Sequence, residues 1–340
     1  MESRFSVYEL TTCGNDHKPT STHHRVISEL TESYFSTTYP KHFVKKEVAT
    51  LPMEAQELFS VKGIVAVVTG GGTGIGFMMA KALAANGAAK VYIVGRREEK
   101  LREAAQFHPS IIPLPGDITK REDLERLAER VKEDTGYVNL VVANAGITGP
   151  GLQKLKPGYT LADYVEHAWA TPMEEFNAVY ELNCTAVYYT VLSFLGLLDE
   201  GNRRNTYLKS QVIATASCAS FLRNPLAGYA YCSSKAGLIS MMKCFSTFCV
   251  PWGIRFNTLA AGLFPSELSA SLFDSFRANR DIPITEEGAF SRSWQPAERA
   301  GSDDDMAGVI LYMTSKAGSF LNGSVLLVDG GKVATIPSTY

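Results

Sequence analysis

Ile64-Val65-Ala66-Val67-Val68-Thr69-Gly70-Gly71-Gly72-Thr73-Gly74-Ile75-Gly76 decides how this chain folds. Ile64 to Thr69 is a short apolar run rich in β-branched residues, which favours a strand, and it ends in glycines. Ile75 to Asn86, rich in Ala and Met, follows as a helix. Between them Gly70, Gly74 and Gly76 let the backbone turn tightly and approach a pyrophosphate. The helix start, with Thr73 and Ile75 beside it, offers free N–H groups and positive partial charge. A glycine-rich turn without a ligand is the plainer reading, but the strand–turn–helix context favours nucleotide binding.

Working outward, apolar runs alternate with helical stretches. Strands are expected at Lys90 to Val94, Ile111 to Leu114, Val138 to Ala143, Gln211 to Thr215, Ile254 to Leu259 and Val325 to Val328. Helices are expected at Glu98 to Phe107, Arg121 to Glu133, about 173–198 and about 229–250. This alternation implies an α/β fold: a Rossmann-type, doubly wound parallel sheet of about seven strands, flanked by helices in three layers. Residues 1–57 differ in character, being rich in Ser, Thr, His and Tyr without a sustained period. They read as a partly disordered or surface-draped N-terminal extension. Residues 58–340 form the single domain, with an insertion at about 149–172 and a loop-rich lid at about 263–300.

The 340 residues are 45% hydrophobic and carry a formal net charge of −2. That suffices for a large buried core and argues against nucleic acid or an anionic membrane as partner. The six cysteines show no Cys-x-x-Cys pairing, and several sit in apolar segments, as expected of reduced core thiols in a cytoplasmic protein. The six histidines form no metal-binding motif, so no metal is expected. The longest apolar run, around Val187 to Leu198, is short of the ~20 residues that span a bilayer. Glu2 and Glu9 interrupt the N-terminus, where no apolar segment suggests a secretory signal.

A second stretch carries the chemistry: Tyr231-Cys232-Ser233-Ser234-Lys235, with Ser217 upstream. Tyrosine is a poor acid near neutrality, with an ordinary pKa of about 10. A lysine four residues on shares its helix face and lowers that value. A serine hydroxyl from a neighbouring strand would complete a site that polarises a carbonyl and protonates its oxygen. Tyr229 competes for the acid role, but Ser233 stands four residues beyond it, whereas Lys235 stands four beyond Tyr231.

Taken in order, Thr69 to Gly76, Asn144-Ala145-Gly146, Asn183, Ser217, Tyr231 with Lys235, Ile254 to Asn257 and Asn322 to Gly331 resemble the short-chain dehydrogenase/reductase family. The resemblance covers about residues 58–332. Gly262 to Glu267 resembles, less specifically, fungal and bacterial members similar to 3-oxoacyl-carrier-protein reductases. The resemblance implies a catalytic set of Asn183, Ser217, Tyr231 and Lys235. Tyr231 would act as general acid in reduction or base in oxidation, and Ser217 would orient the substrate oxygen. Lys235 would bind the nicotinamide ribose and lower the Tyr231 pKa, and Asn183 would hold a proton-relaying water. Cofactor contacts are likewise implied for Asn144, Ala145, Gly146, Gly262, Phe264 and Ser266, besides the glycine loop, Tyr231 and Lys235. Asp117 and Ile118 resemble the pair that contacts adenine, although a helix N-cap region explains them nearly as well. The family's usual Pro-Gly is Ala261-Gly262 here, and its usual threonine is Ser266. Cys218 could line the pocket or be a buried inert thiol.

At the end of the second strand, where an acidic residue would hold ribose hydroxyls, stands Gly95, followed by Arg96 and Arg97. With no carboxylate opposing a 2′-phosphate, and arginines able to grip one, NADP(H) is the expected cofactor. The expectation is an NADPH-dependent ketoreductase of secondary metabolism. Phe264, Leu268, Leu272, Phe273, Phe276 and Phe290 in the lid suggest an aliphatic or polyketide-like substrate, though packing alone could explain them. An alcohol dehydrogenase working oxidatively, and a non-catalytic NADP-binding regulator, are the alternatives. Phe176, Val179, Val187, Tyr188, Leu192 and Leu195 offer apolar surface for a homodimer or homotetramer.

Overall fold

Five consecutive buried residues, Val65–Thr69, form strand β1 of the computed structural model. The structure describes residues 54–151, 155, 158–204, 208–225 and 227–340. Side chains along a strand alternate between faces, so a strand buried at every position must be covered on both sides. Val65 and Val67 belong to one core, and Ala66 and Val68 to the other. The further strands are β2 (Lys90–Gly95), β3 (Ile111–Pro115), β4 (Leu140–Ala143), β5 (Gln211–Ser217), β6 (Arg255–Ala261) and β7 (Val325–Val328). All pair in parallel, in the order β3-β2-β1-β4-β5-β6-β7. The chain winds outward from β1 to β3 and then returns to β4. The connections leaving β1 and β4 therefore part, which opens a crevice at their C-terminal ends.

The helices are α1 (Ala55–Leu58), α2 (Gly74–Ala85), α3 (Glu98–Ala105), α4 (Arg121–Asp134), α5 (Leu161–Trp169), α6 (Met173–Tyr180), α7 (Ala186–Arg203), α8 (Tyr229–Phe248), α9 (Ala270–Phe276) and α10 (Asp303–Thr314). Met79 and Leu83 of α2, Leu101 of α3 and Ile310 of α10 cover one sheet face. Leu127 of α4, Phe194 and Leu198 of α7 and Met242 of α8 cover the other. The expected extension, 1–57, lies outside the described residues except for its last four, where α1 begins. Of the expected insertion at 149–172, residues 152–154, 156 and 157 lie outside them too. Its later part forms α5, started by a capping box between Thr160 and Asp163.

The helix expected at 173–198 is not uniform. A five-residue π-helical turn, Glu181–Thr185, separates α6 from α7. The whole stretch Met173–Arg203 is long and apolar enough to cross a membrane. Here its apolar residues Val179, Val187, Val191 and Phe194 are buried against the protein, as a sheet-covering helix requires. That corrects the surface expected for assembly: Val179 and Val187 face inward, leaving Phe176, Tyr188 and Leu192 half-exposed and Leu195 partly buried. Beside them Phe248 and Trp252 line or border an apolar groove of about 1040 Å³ between α7 and α8. α10 was not anticipated, although Ser302 and Asp305 form a capping box at its start.

Candidate active site

The crevice at the strand ends is a groove of about 720 Å³, running from the glycine turn after β1 to the first turns of α8. Gly70, Thr73, Gly74 and Ile75 form one end. Arg96, Arg97, Asp117 and Ile118 stand beside it, Asn144, Ala145 and Gly146 form the floor, and Ser217, Tyr231 and Lys235 close the far wall. Thr69 Oγ1 pins the floor by accepting from Asn144 N at 2.9 Å and Ala145 N at 3.1 Å. Asn144 Nδ2 donates to Thr69 O at 3.1 Å, so this amide braces the glycine turn.

Two expected contacts do not reach the groove. Gly76 packs under the Gly70 carbonyl, where a side chain would overlap it, so its role is close helix–strand approach. Phe264 is buried to 3% exposure with its ring against Gly301. The lid's aromatic content is likewise explained by packing. Phe273 and Phe290 form their own small core, and Phe276 stacks on Trp294 with centroids 4.8 Å apart. Leu268 is the one residue of that expected apolar group among those lining the groove. Gly262 and Ser266 do line it, with the Ser266 hydroxyl 3.0 Å from Ser269 Oγ. β6 continues through Ala261, which stands where the resemblance has its usual proline.

On the far wall, Ser217 ends β5, and its Oγ accepts from Ala219 N at 3.1 Å. Lys235 is 4% exposed and donates to Thr215 O at 2.7 Å. The Asn183 side chain lies within the π-helical turn, a device common at functional sites. Its Oδ1 accepts from Ile147 N at 3.0 Å, and its Nδ2 donates to Ile147 O at 3.0 Å and Ser234 Oγ at 3.1 Å. Ser234 in turn donates to Tyr231 O at 2.9 Å. Ser234 and Ile147 were not singled out in the sequence. Ser234 carried a signal, standing three residues after Tyr231 on a helix. Tyr229 is 53% exposed, and its phenol pairs with Tyr164, away from this bracket.

The electrostatics run opposite to the expectation for Tyr231. Burial pushes its phenol up to about 12, with the Ser217 hydroxyl pulling the other way, and burial pushes Lys235 down to about 8. Desolvation is the largest influence on each of the two. Tyr231 is therefore a fully protonated donor near neutrality. Burial also raises the Cys218 thiol to about 11, leaving it an inert thiol outside the groove lining.

The residues fit a dinucleotide. Gly74, with φ +55°, leaves a cradle where a Cβ would stand 2.9 Å from Ser266 Cβ. Thr215 Oγ1, in a residue of the groove wall, is buried without a partner. A carboxylate does face the arginines after all: Glu267 of the lid pairs with Arg97 Nη1 at 2.8 Å. It comes from distant sequence, which is why the end of β2 did not reveal it.

The family model for short chain dehydrogenases matches residues 64–276. The chain is 46% identical over 290 residues to the short-chain dehydrogenase/reductase PhomF of Diaporthe leptostromiformis, covering 84% of this chain and 97% of that one. It is 38% identical over 312 residues to the short-chain dehydrogenase/reductase VdtF of Byssochlamys spectabilis, covering 85% and 98%. Among solved structures, a Pseudomonas aeruginosa RhlG/NADP active-site complex superposes with a TM-score of 0.67 at 26% identity, covering 81% of this chain and 98% of that one.

Proposed function

This chain belongs to the short-chain dehydrogenase family, and from that premise we propose that it is an NADPH-dependent ketoreductase. The observation that carries the reading is one continuous groove joining the glycine turn to Ser217, Tyr231 and Lys235. Gly70 to Ile75 would hold the pyrophosphate, Arg96 and Arg97 the 2′-phosphate, and Lys235 the nicotinamide ribose. When bound, the reduced nicotinamide supplies the hydride. The Ser217 hydroxyl donates a hydrogen bond to the substrate carbonyl oxygen and fixes its position. Tyr231, protonated throughout the neutral range, gives its phenolic proton to that oxygen as charge develops on it. The Asn183–Ile147–Ser234 bracket keeps the first turns of α8 in place against the floor.

Support for NADP(H) comes from Gly95 at the end of β2 and from the NADP named in the RhlG complex. Arg97 would exchange Glu267 for phosphate. The substrate class is a 3-oxoacyl or polyketide-like ketone, on the resemblance of Gly262 to Glu267 to 3-oxoacyl-carrier-protein reductases. Two copies would associate through the apolar groove between α7 and α8. A cofactor-oxidation screen over 3-oxoacyl thioesters, cyclic ketones and sugars tests the reading. NADPH-dependent reduction of one of the first two classes is expected; reduction of sugars alone would overturn it.

A further inference from the structure

Ser217 is the last residue of β5, and its hydroxyl can hold a carbonyl oxygen only if the chain beyond it keeps a fixed path. Cys218–Ser220 form a single 3-10 turn there. Phe221 N closes it by donating to Cys218 O at 3.1 Å, and Leu222 N follows by donating to Ala219 O at 3.3 Å. Ala219 N donates to Ser217 Oγ at 3.1 Å, so the turn occupies one lone pair of the hydroxyl and leaves its proton for another acceptor. The aim of the Ser217 hydroxyl therefore depends on where this turn sits.

A short 3-10 turn holds itself poorly, and the residues after this one are not buried: Phe221 and Leu222 are half-buried and Arg223 is exposed. Among the described residues, the main-chain bonds that tie 218–224 to distant sequence run to residues 337–339. Arg223 N donates to Pro337 O and Thr339 N to Phe221 O, each at 2.8 Å, on either side of an antiparallel bridge between Leu222 and Ser338. Thr339 Oγ1 adds a longer bond to Phe221 O at 3.3 Å. Beyond it the Tyr340 ring meets the Phe221 ring at a steep angle, with centroids 4.8 Å apart. The last four residues of the chain thus lie along the serine turn as a strap.

The root of the strap is fixed. Just past β7, Asp329 Oδ1 accepts from Gly331 N at 2.9 Å and Oδ2 from Val333 N at 2.7 Å. Lys332 and Val333 are buried. Gln295 Nε2 donates to Asp329 O at 2.8 Å. The Lys332 ammonium donates to Trp294 O and stands 4.0 Å from the centroid of the Trp294 ring. Asp329 also backs the groove, since a Cβ on the lining residue Gly262 would stand 2.5 Å from Asp329 Cα. Residues 329–340 therefore start behind the groove wall, are clamped by Trp294 and Gln295, and end on the turn that aims Ser217.

We propose that Thr339 and Tyr340 are positioning residues for Ser217: acting through Phe221, they hold the turn after β5 and with it the direction of the Ser217 hydroxyl. The inference rests on the ketoreductase reading above. Neither residue lines the groove, so both act through the turn and not by touching substrate or cofactor. A catalytic group displaced by about 1 Å can lose a hundredfold in rate, so a loosened turn is felt in kcat well before it is felt in stability.

Thr339→Pro with Tyr340→Ala removes the N–H donor, the hydroxyl and the ring at two exposed positions. Ser338, paired in an extended bridge, already has the conformation that precedes a proline. Tyr340→Phe keeps the ring. Hydrogen exchange of the amides at 219–223 reads the strap without any turnover. Exchange should quicken at least about tenfold in the double variant and stay at the wild-type rate in Tyr340→Phe. Unchanged protection in the double variant would overturn the strap whatever the reaction. Carbonyl reduction is then compared in the wild type, the double variant, Ser217→Ala, and the double variant combined with Ser217→Ala. In the double variant kcat should fall about tenfold, with NADPH affinity within about threefold and the melting midpoint nearly unmoved. Once Ser217 is alanine, the strap changes should cost nothing further. An unchanged kcat, or an equal loss with and without Ser217, would overturn the positioning role. A Ser217→Ala protein as active as the wild type would instead overturn the catalytic reading of Ser217, and hydrogen exchange alone would then decide the strap.

Discussion

Arg97 Nη1 donates to Glu267 Oε1 at 2.8 Å, joining the residue before α3 to the lid across the cofactor end of the groove. Arg97 also donates to Thr73 Oγ1 at 3.3 Å, so its guanidinium already lies over the glycine turn. Both partners are exposed, and the pair itself contributes little stability. Its consequence is competition: a 2′-phosphate must displace a carboxylate to reach Arg97. Glu267→Gln should therefore tighten NADPH by several-fold and leave NADH nearly unchanged. Arg97→Gln should weaken NADPH by about tenfold or more, the worth of one charged hydrogen bond. Fluorescence titration of both cofactors checks both variants. Tighter binding of NADH than NADPH by the unaltered protein would reverse the assignment.

Gly146 lies under two of the catalytic candidates. A Cβ on it would stand 2.9 Å from Asn183 Oδ1 and 3.2 Å from Lys235 Nζ. Gly146→Ala should push both side chains off position, with kcat falling on the order of a hundredfold, as displacements of about 1 Å do. Because the residue lies in a loop rather than a strand, the melting midpoint should move little. Steady-state kinetics beside a melting curve separate the two effects.

Lys235 is held below its unfolded value, at about 8 against 10.5, by burial. Below pH 8 both states keep the proton, and the native state bears the full cost of the buried charge. Between about 8 and 10.5 the native state has released the proton while the unfolded chain retains it, so this group makes stability rise with pH across that window. The displacement corresponds to about 3 kcal/mol, of which the lost bond to Thr215 O returns about 1. Lys235→Met should thus unfold about 2 kcal/mol later than the wild type at pH 7, with the gap closing above pH 8. Denaturant unfolding at pH 7 and pH 10 measures it. The same titration predicts that the wild-type reductive rate falls above about pH 8, as Lys235 loses its charge.

Local chemistry was legible in the sequence where one segment suffices to define it. The strand–turn–helix from Ile64 to Asn86 and the Tyr231/Lys235 spacing both lie within a few turns of chain, and the helix from Tyr229 brings the latter pair to one wall. α10 was equally local: Ser302 and Asp305 cap it, and Met306, Ile310 and Met313 form its buried stripe. Three features were not local. The π-helical turn at Glu181–Thr185 leaves the apolar pattern of a long helix nearly intact, so periodicity passes over it. Glu267 meets Arg97 only because the segment after β6 passes back along the groove. The lid's aromatic residues could have faced a substrate or one another, and only the packing of Phe273, Phe290 and Trp294 decides that. The Tyr231 acidity was misjudged for a related reason: residue spacing shows the lysine, whereas burial of both groups emerges only from the fold.

If Tyr231 delivers the proton in a carbonyl reduction supported by NADPH, its hydroxyl is the one atom the reaction cannot lose. Tyr231→Phe removes one oxygen atom from the groove wall and leaves the ring, the glycine turn and the arginines in place. Carbonyl-dependent NADPH oxidation, measured with a substrate identified by the screen, should fall by at least about a hundredfold, the usual contribution of a positioned general acid. NADPH affinity in the same preparation should stay within about threefold of the wild type, since one neutral hydrogen bond at most is lost. An unchanged rate of NADPH oxidation in Tyr231→Phe would rule out Tyr231 as the proton donor.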